Sequence, residues 1–578
     1  MDRAYDFVVR GGLLYDGAGG QPREADVAIK DGRIAEVGEV AGAGVEEIDA
    51  RGLMVAPGFV DIHTHYDGQA TWAERMQPSS WQGVTTAVMG NCGVGFAPCR
   101  PDDHDRLVRL MEGVEDIPFP VLSQGLPWNW ESYPDYLDAL EQRRFDVDLG
   151  SQLPHAALRV FVMGERGANR EPATPEDIAA MAEIAKTAME AGALGFSTSR
   201  TLNHRTSDGQ PTPTLTAAED ELTGIAMGLA AAGKGVIQMI SDFIDSDGEF
   251  AMLRRIVQAS KRPLSFSLAQ TSFDPEGYKT LLAGLESANA AGLPMKAQVA
   301  TRPVGVLLGL ELTINPFSHY PAYREIAELD LKDRVARLKD PAFRARLFQQ
   351  RPDDSVRGVL AVFSRRPSFA RLYLLSDRPD YEPTADSSVT AVAAGRGVMP
   401  EEVALDHMLS NDGRGMLYMP ILNYVDGSLG STFTMLNHPD ALPGLSDGGA
   451  HVGMICDGSF PTTLLTHWTR DRTRGPKLAI ENVIKRQCLD TARAVGLCDR
   501  GLVAPGYRAD LNVIDYDRLT LHAPEVAYDL PAGGRRLVQR AEGYVATMVA
   551  GEVTYRDGEA TGALPGRLVR GTKAAAAA

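Results

Sequence analysis

Val55-Ala56-Pro57-Gly58-Phe59-Val60-Asp61-Ile62-His63-Thr64-His65 is where the chain changes character. Before it, residues 1–55 read as short strands. Runs at 6–10, 13–16, 25–30, 33–37 and 47–49 alternate weakly, Gly11-Gly12 reads as a turn and Asp31-Gly32 as a hairpin signal. After it, apolar runs at 58–63, 85–89, 149–153, 193–197, 236–240, 264–268, 296–300 and 442–446 are separated by longer segments. Several of those segments are Ala/Glu-rich and amphipathic, as at 175–191 and 217–232. Strands alternating with helical crossovers predict an α/β fold, a (β/α)8 TIM-like barrel.

Working outward, residues 302–440 fall between the seventh and eighth runs. They hold Pro316, Pro321, Pro352, Pro367 and Pro379 and a helical stretch at 326–338. An insertion on a strand-to-helix loop lies on the catalytic face of a barrel, and one this long is expected to act as a lid. Strand-like runs return at 509–515 and 543–556, with Gly551 and Asp557-Gly558 as turns. The expected organisation is therefore 1–56 and 491–570 as two parts of one small composite β-sandwich. The barrel is expected over 57–490 with its insertion, and 571–578 as a disordered tail.

Composition narrows the function. The 578 residues carry a formal net charge of −18, with 44% hydrophobic and 23% charged residues. A phosphate-backbone binder needs a basic face, and basic pairs such as Arg254-Arg255 and Arg535-Arg536 read as solvated surface. Five scattered cysteines, Cys92, Cys99, Cys456, Cys488 and Cys498, are not a disulfide framework. No run reaches the roughly 18 apolar residues that a membrane span needs. The expectation is a cytoplasmic protein acting on a small molecule, with no nucleic-acid or membrane partner. A homo-oligomer is compatible with a chain of this size.

The chemistry is read from strand ends. In a strand, residues i and i+2 point to the same side, so His63 and His65 can offer two imidazoles to one divalent ion such as zinc. Manganese, iron or nickel suits the same donors. Asp447, in Ser446-Asp447-Gly448-Gly449, is either a ligand and proton carrier or a turn residue before glycines. Cys92, in Gly90-Asn91-Cys92-Gly93, is either a thiolate ligand or a buried inert thiol. His155 follows the third run, where it could polarise a substrate carbonyl, complete the metal shell or serve structure.

Taken together, these motifs resemble the amidohydrolase superfamily, and within it the N-acyl-D-amino-acid deacylases (D-aminoacylases). The resemblance spans nearly the whole chain. It runs through 56–65, Gly83-Val84-Thr85-Thr86, Gly90-Asn91-Cys92-Gly93, 192–198, 491–497, 501–515 and Leu530-Pro531-Ala532-Gly533-Gly534 with Arg536-Leu537. It implies zinc held by His63, His65 and Asp447, with Cys92 as a bridging or second-site ligand. It implies hydrolysis of the linear amide of an N-acyl-(D-)amino acid by a metal-bound hydroxide, with Asp447 and His155 as catalytic residues. The family's histidines at the ends of strands five and six are absent from 236–242 and 264–270, so one ion is expected and the second site is incomplete. Near Gln270 a neutral residue stands where some deacylases place a basic one, and Arg302 is either a substitute anchor for a carboxylate or a structural residue near a loop. The alternatives are a cyclic amide, lactone or larger amide on the same site, or a non-catalytic small-molecule-binding barrel.

Overall fold

The computed structural model describes residues 3–353 and 368–571. Eight parallel strands form the central sheet in chain order: Phe59–Asp61, Val84–Met89, Asp148–Pro154, Gly195–Arg200, Val236–Ser241, Leu264–Leu268, Met295–Val299 and Ala441–Pro443. The sheet closes on itself where Thr64 bridges Gly448 in parallel and the His65 amide donates to the Gly448 carbonyl at 2.8 Å. This is the α/β barrel that the sequence predicts. Its strands are short and mostly buried because helices cover the outer face.

The crossover helices form where the sequence places their caps. Helix Pro175–Ala191 starts at a capping box of Thr174 and Asp177, carries Pro at its first turn and stops at Gly192, whose φ is +117°. The helix expected over 326–338 instead spans Leu331–Lys339, because the Asp330 side chain accepts from the Asp333 amide at 2.8 Å and starts it there. The last barrel strand ends three residues earlier than expected. Leu445 turns left-handed at φ +59°, and the chain then crosses to the first strand, where the Asp447 amide donates to the His63 carbonyl at 3.1 Å.

A nine-stranded sheet combines both ends of the chain. Strands Arg3–Leu14, Arg23–Lys30, Arg33–Gly38, Ala43–Asp49 and Met54–Pro57 come from one end. Leu511–Ile514, Tyr544–Val549, Glu552–Arg556 and Glu559–Ala560 come from the other. The seam is the antiparallel pairing of Met54–Pro57 with Leu511–Ile514. Gly11-Gly12 is a bulge within one continuous strand rather than the expected turn. Gly11 has φ +61°, and a Cβ on Gly12 would sit 2.3 Å from Val55 Cγ2. Beyond the bulge the strand changes partner, from Ala43–Asp49 to Met54–Pro57, wrapping the sheet around Val9, Val27, Ile29, Val55, Leu511 and Val513.

The segment between the seventh and eighth barrel strands has a three-stranded sheet of its own, Gly305–Leu308, Leu417–Pro420 and Tyr373–Leu374. A separate hydrophobic core, including Leu308, Phe317, Leu338, Phe343 and Leu405, holds its helices. Pro367 and the tail at 572–578 lie outside the described residues. Among the described residues no helix is long and apolar enough to cross a membrane.

Candidate metal centre

The segment just beyond the first barrel strand brings His63 and His65 together, at the end where the sheet closes. Their ring centroids lie 5.6 Å apart and both side chains are buried. The second strand ends at Gly90, whose φ of +78° and close approach to the Gln152 carbonyl leave no room for a Cβ, which would sit 2.1 Å from that oxygen. Asn91 is pinned by bonds to the Thr64 and Val88 carbonyls at 3.2 and 2.8 Å. Cys92 then turns left-handed at φ +54°, which aims its sulfur at His63, 3.2 Å from Nε2. Asp447 Oδ1 lies 3.4 Å from His63 Nε2 and 3.6 Å from His65 Nε2.

Among the described residues, His63, His65 and Cys92 offer ligand atoms all within 4.8 Å of one another. Two further observations fit a metal ion to this place. Asp447 Oδ1 is a buried polar atom without a hydrogen-bond partner, and such an atom is expensive to leave alone. Four non-glycine residues, Cys92, Leu445, Asp447 and His451, adopt positive φ in one small region. Strained backbone of that kind persists where surrounding structure enforces it, and it clusters at functional sites.

Burial is the main electrostatic influence on these groups. Burial pushes the Cys92 thiol up to about 12 and lowers His63 to about 4. Burial also opposes ionisation of Asp447, yet the neighbouring imidazoles of His65, His63 and His451 hold its carboxyl well below the usual range. Asp61, whose carboxylate accepts from Ser446 Oγ and from the His63 amide, is raised by burial to about 7.

The other sequence-derived candidates fall elsewhere. His155 does not join the group. Its Nδ1 lies 2.8 Å from Thr198 Oγ1 and its Nε2 2.9 Å from Glu221 Oε1, which also takes the Arg159 Nε at 2.8 Å. Both ring nitrogens are committed to these buried partners, which accords with the structural alternative that the sequence left open. Arg302 is sequestered as well: it pairs with Asp457 at 3.0 Å and lies 3.6 Å from the centroid of the Tyr381 ring. Gln270 bonds Asp426 Oδ2 at 2.8 Å and accepts from Ser431 Oγ at 3.0 Å, which ties the inserted segment to the sixth strand.

Sequence reasoning missed several neighbours. Gln298, on the seventh strand, places Oε1 2.7 Å from His63 Nδ1. Gln238, on the fifth, accepts from the Cys92 amide at 3.0 Å, so a neutral amide stands on the strand-five side, where the sequence carries no histidine. Glu115 Oε1 lies 3.3 Å from His65 Nδ1, and Glu115 Oε2 lies 3.6 Å from His451 Nε2. The available signal for Glu115 was a carboxylate on the apolar stripe of Leu107, Val108, Met111 and Val114. A cavity of about 260 Å3, lined by Asp116, Thr313, Val452, Gly453 and Arg535 among others, opens beside this loop. The larger cavity, about 820 Å3, includes Arg302 and Glu382 in its lining but none of the four ligand candidates.

Comparison with known proteins places this geometry. The D-aminoacylase of Alcaligenes xylosoxydans xylosoxydans is 37% identical over 34% of this chain and 37% of its own. The N-acyl-D-glutamate deacylase of the same organism is 26% identical over 91% of each chain. The crystal structure of N-acyl-D-glutamate deacylase from Bordetella bronchiseptica, complexed with zinc and a phosphonate inhibitor, superposes with a TM-score of 0.64. It is 21% identical and covers 98% of this chain and 99% of that one. The model of the amidohydrolase family matches residues 46–555, so the chain belongs to the amidohydrolase family and, within it, is a D-aminoacylase-like enzyme that hydrolyses amide bonds.

Proposed function

We propose that the protein is a zinc-dependent deacylase that cleaves the amide bond of an N-acyl-D-amino acid. The observation that carries this reading is the convergence of His63, His65 and Cys92 with Asp447 Oδ1 on one buried point. Zinc suits this nitrogen, sulfur and carboxylate donor set, and when bound it supplies a Lewis acid that polarises a carbonyl and acidifies water to roughly pKa 7.

The protein's own groups do the rest. Gln298 Oε1 accepts from His63 Nδ1, which fixes the tautomer and leaves the Nε2 lone pair facing Cys92 and Asp447. Asp447 Oδ1 faces both imidazoles, which leaves Oδ2 to accept a proton from the attacking water and return it to the leaving nitrogen. Burial of His63, His65 and Cys92 keeps bulk water from the ligand atoms, while the Asp447 side chain stays 18% exposed. Relatives named for D-amino-acid deacylation support the substrate class.

The test is elemental analysis of protein purified without added metal, followed by turnover of a panel of N-acyl-D-amino acids, N-acyl-L-amino acids and cyclic amides. The expected result is about one zinc per chain, lost in His63→Ala, with D-selective release of amine. Turnover of the cyclic amides alone would overturn the substrate, and protein that takes up no divalent ion would overturn the whole reading.

A further inference from the structure

We propose that Glu115 is a positioning residue of this centre: its carboxylate orients His65 towards the ion and ties that ligand to His451 on the loop that carries Asp447. The proposal rests on the metal-centre reading above and concerns a residue outside the ligand set. Glu115 is the last residue of helix His104–Glu115 and is 1% exposed. One carboxylate oxygen lies 3.3 Å from His65 Nδ1 and the other 3.6 Å from His451 Nε2. Neither Glu115 Oε2 nor His65 Nδ1 has a hydrogen-bond partner.

A carboxylate buried this completely is costly unless charge or hydrogen bonds answer it. The two imidazoles supply that answer. The backbone reinforces the link, because the His451 amide donates to the Glu115 carbonyl. The next residue, Asp116, accepts from the Gly453 amide at 3.2 Å and from Thr313 Oγ1 at 2.8 Å. The end of one helix therefore grips the loop from Asp447 to Gly453 with two consecutive side chains.

An imidazole that offers Nε2 to an ion carries its proton on Nδ1. A carboxylate facing that proton fixes the ring and raises its basicity as a ligand. Asp447 lies on the Nε2 side of His65 and Glu115 on the Nδ1 side, which is the arrangement this role needs. On His63 the same duty falls to a neutral amide, Gln298. The two histidines are thus faced by partners of different charge.

The experiment uses the full chain, stripped of metal and titrated with zinc against a chromophoric chelator. Glu115→Gln keeps the size of the side chain and removes its charge. Its zinc affinity should fall roughly ten- to a hundred-fold, with an unchanged unfolding midpoint in the metal-free state. Glu115→Asp, which keeps the charge at shorter reach, should fall between the two. In cobalt-substituted protein, the thiolate-to-metal absorption of Cys92 should persist in Glu115→Gln while the ligand-field bands shift. Equal zinc affinity in the parent and Glu115→Gln would overturn the proposal and leave the zinc reading standing. A loss of affinity matched by an equal loss of metal-free stability would also overturn it, by making Glu115 a packing residue. A parent that binds no divalent ion would overturn both.

Discussion

Asp447 shows how one residue's backbone sets its chemistry. Its φ of +49° turns the carboxylate back towards the first strand, to within 3.6 Å of both histidines. Asp447→Asn keeps an oxygen in that position and removes the proton acceptor. It should retain metal while turnover falls roughly a hundred- to ten-thousand-fold, read by steady-state kinetics beside metal analysis. His155 makes the opposite case. It is fully buried and its two nitrogens serve Thr198 and Glu221, so His155→Phe leaves the Glu221–Arg159 pair short of a partner. The expected effect is a loss of about 1–3 kcal/mol in stability with metal content per folded chain unchanged, measured by denaturant unfolding and elemental analysis.

At the scale of elements, the inserted segment is joined to the barrel by Glu382. That side chain is 2% exposed and accepts from Arg472 Nε and Nη2 at 3.0 and 3.1 Å, and from the Leu429 amide at 2.9 Å, with His467 Nε2 at 3.1 Å. Burial alone would raise its pKa, but His467, Arg472 and the Leu429 amide bring it down to about 2, against an ordinary 4.5. The sign follows directly. A depressed carboxylate contributes its stability in full above pH 4.5 and loses it as the pH falls through about 2. The amount is about 3 kcal/mol at neutral pH, from the size of the shift. Glu382→Gln should unfold at a lower temperature than the parent at pH 7 and show a flatter midpoint-against-pH curve between pH 4.5 and 2. Parallel curves for the two proteins would remove this ion pair from the account.

The whole molecule depends on chain ends meeting. Strand Met54–Pro57 leads into the barrel's first strand, and its partners are Leu511–Ile514 from the other end and Arg3–Leu14 from its own. Below the barrel, Arg500 and Arg508 from the C-terminal part meet Asp148 of the third barrel strand at 2.7 and 2.9 Å. Removing residues 1–50 would strip Met54–Pro57 of one neighbour and open the core around Val55 and Val513. That variant should be recovered as aggregate, or without the parent's cooperative unfolding transition by circular dichroism. A soluble, cooperatively folding barrel from residues 51–571 would show that the composite sheet is dispensable.

What the sequence determined by itself was local and periodic. The alternation of strands and helices, the capping box before Pro175, and His63 and His65 two residues apart just beyond a strand all follow from backbone geometry within a few residues. So does the placing of Cys92 and Asp447 at strand ends, where loops meet on one face of a barrel. What only the tertiary structure decided was which distant side chains complete each group. His155 is spent on Thr198 and Glu221, Arg302 on Asp457 and Tyr381, and the histidines are oriented by Gln298 and Glu115. Those partners lie dozens to hundreds of positions away along the chain. Burial in a closed barrel, not any short-range pattern, is what forces such polar groups to find one another.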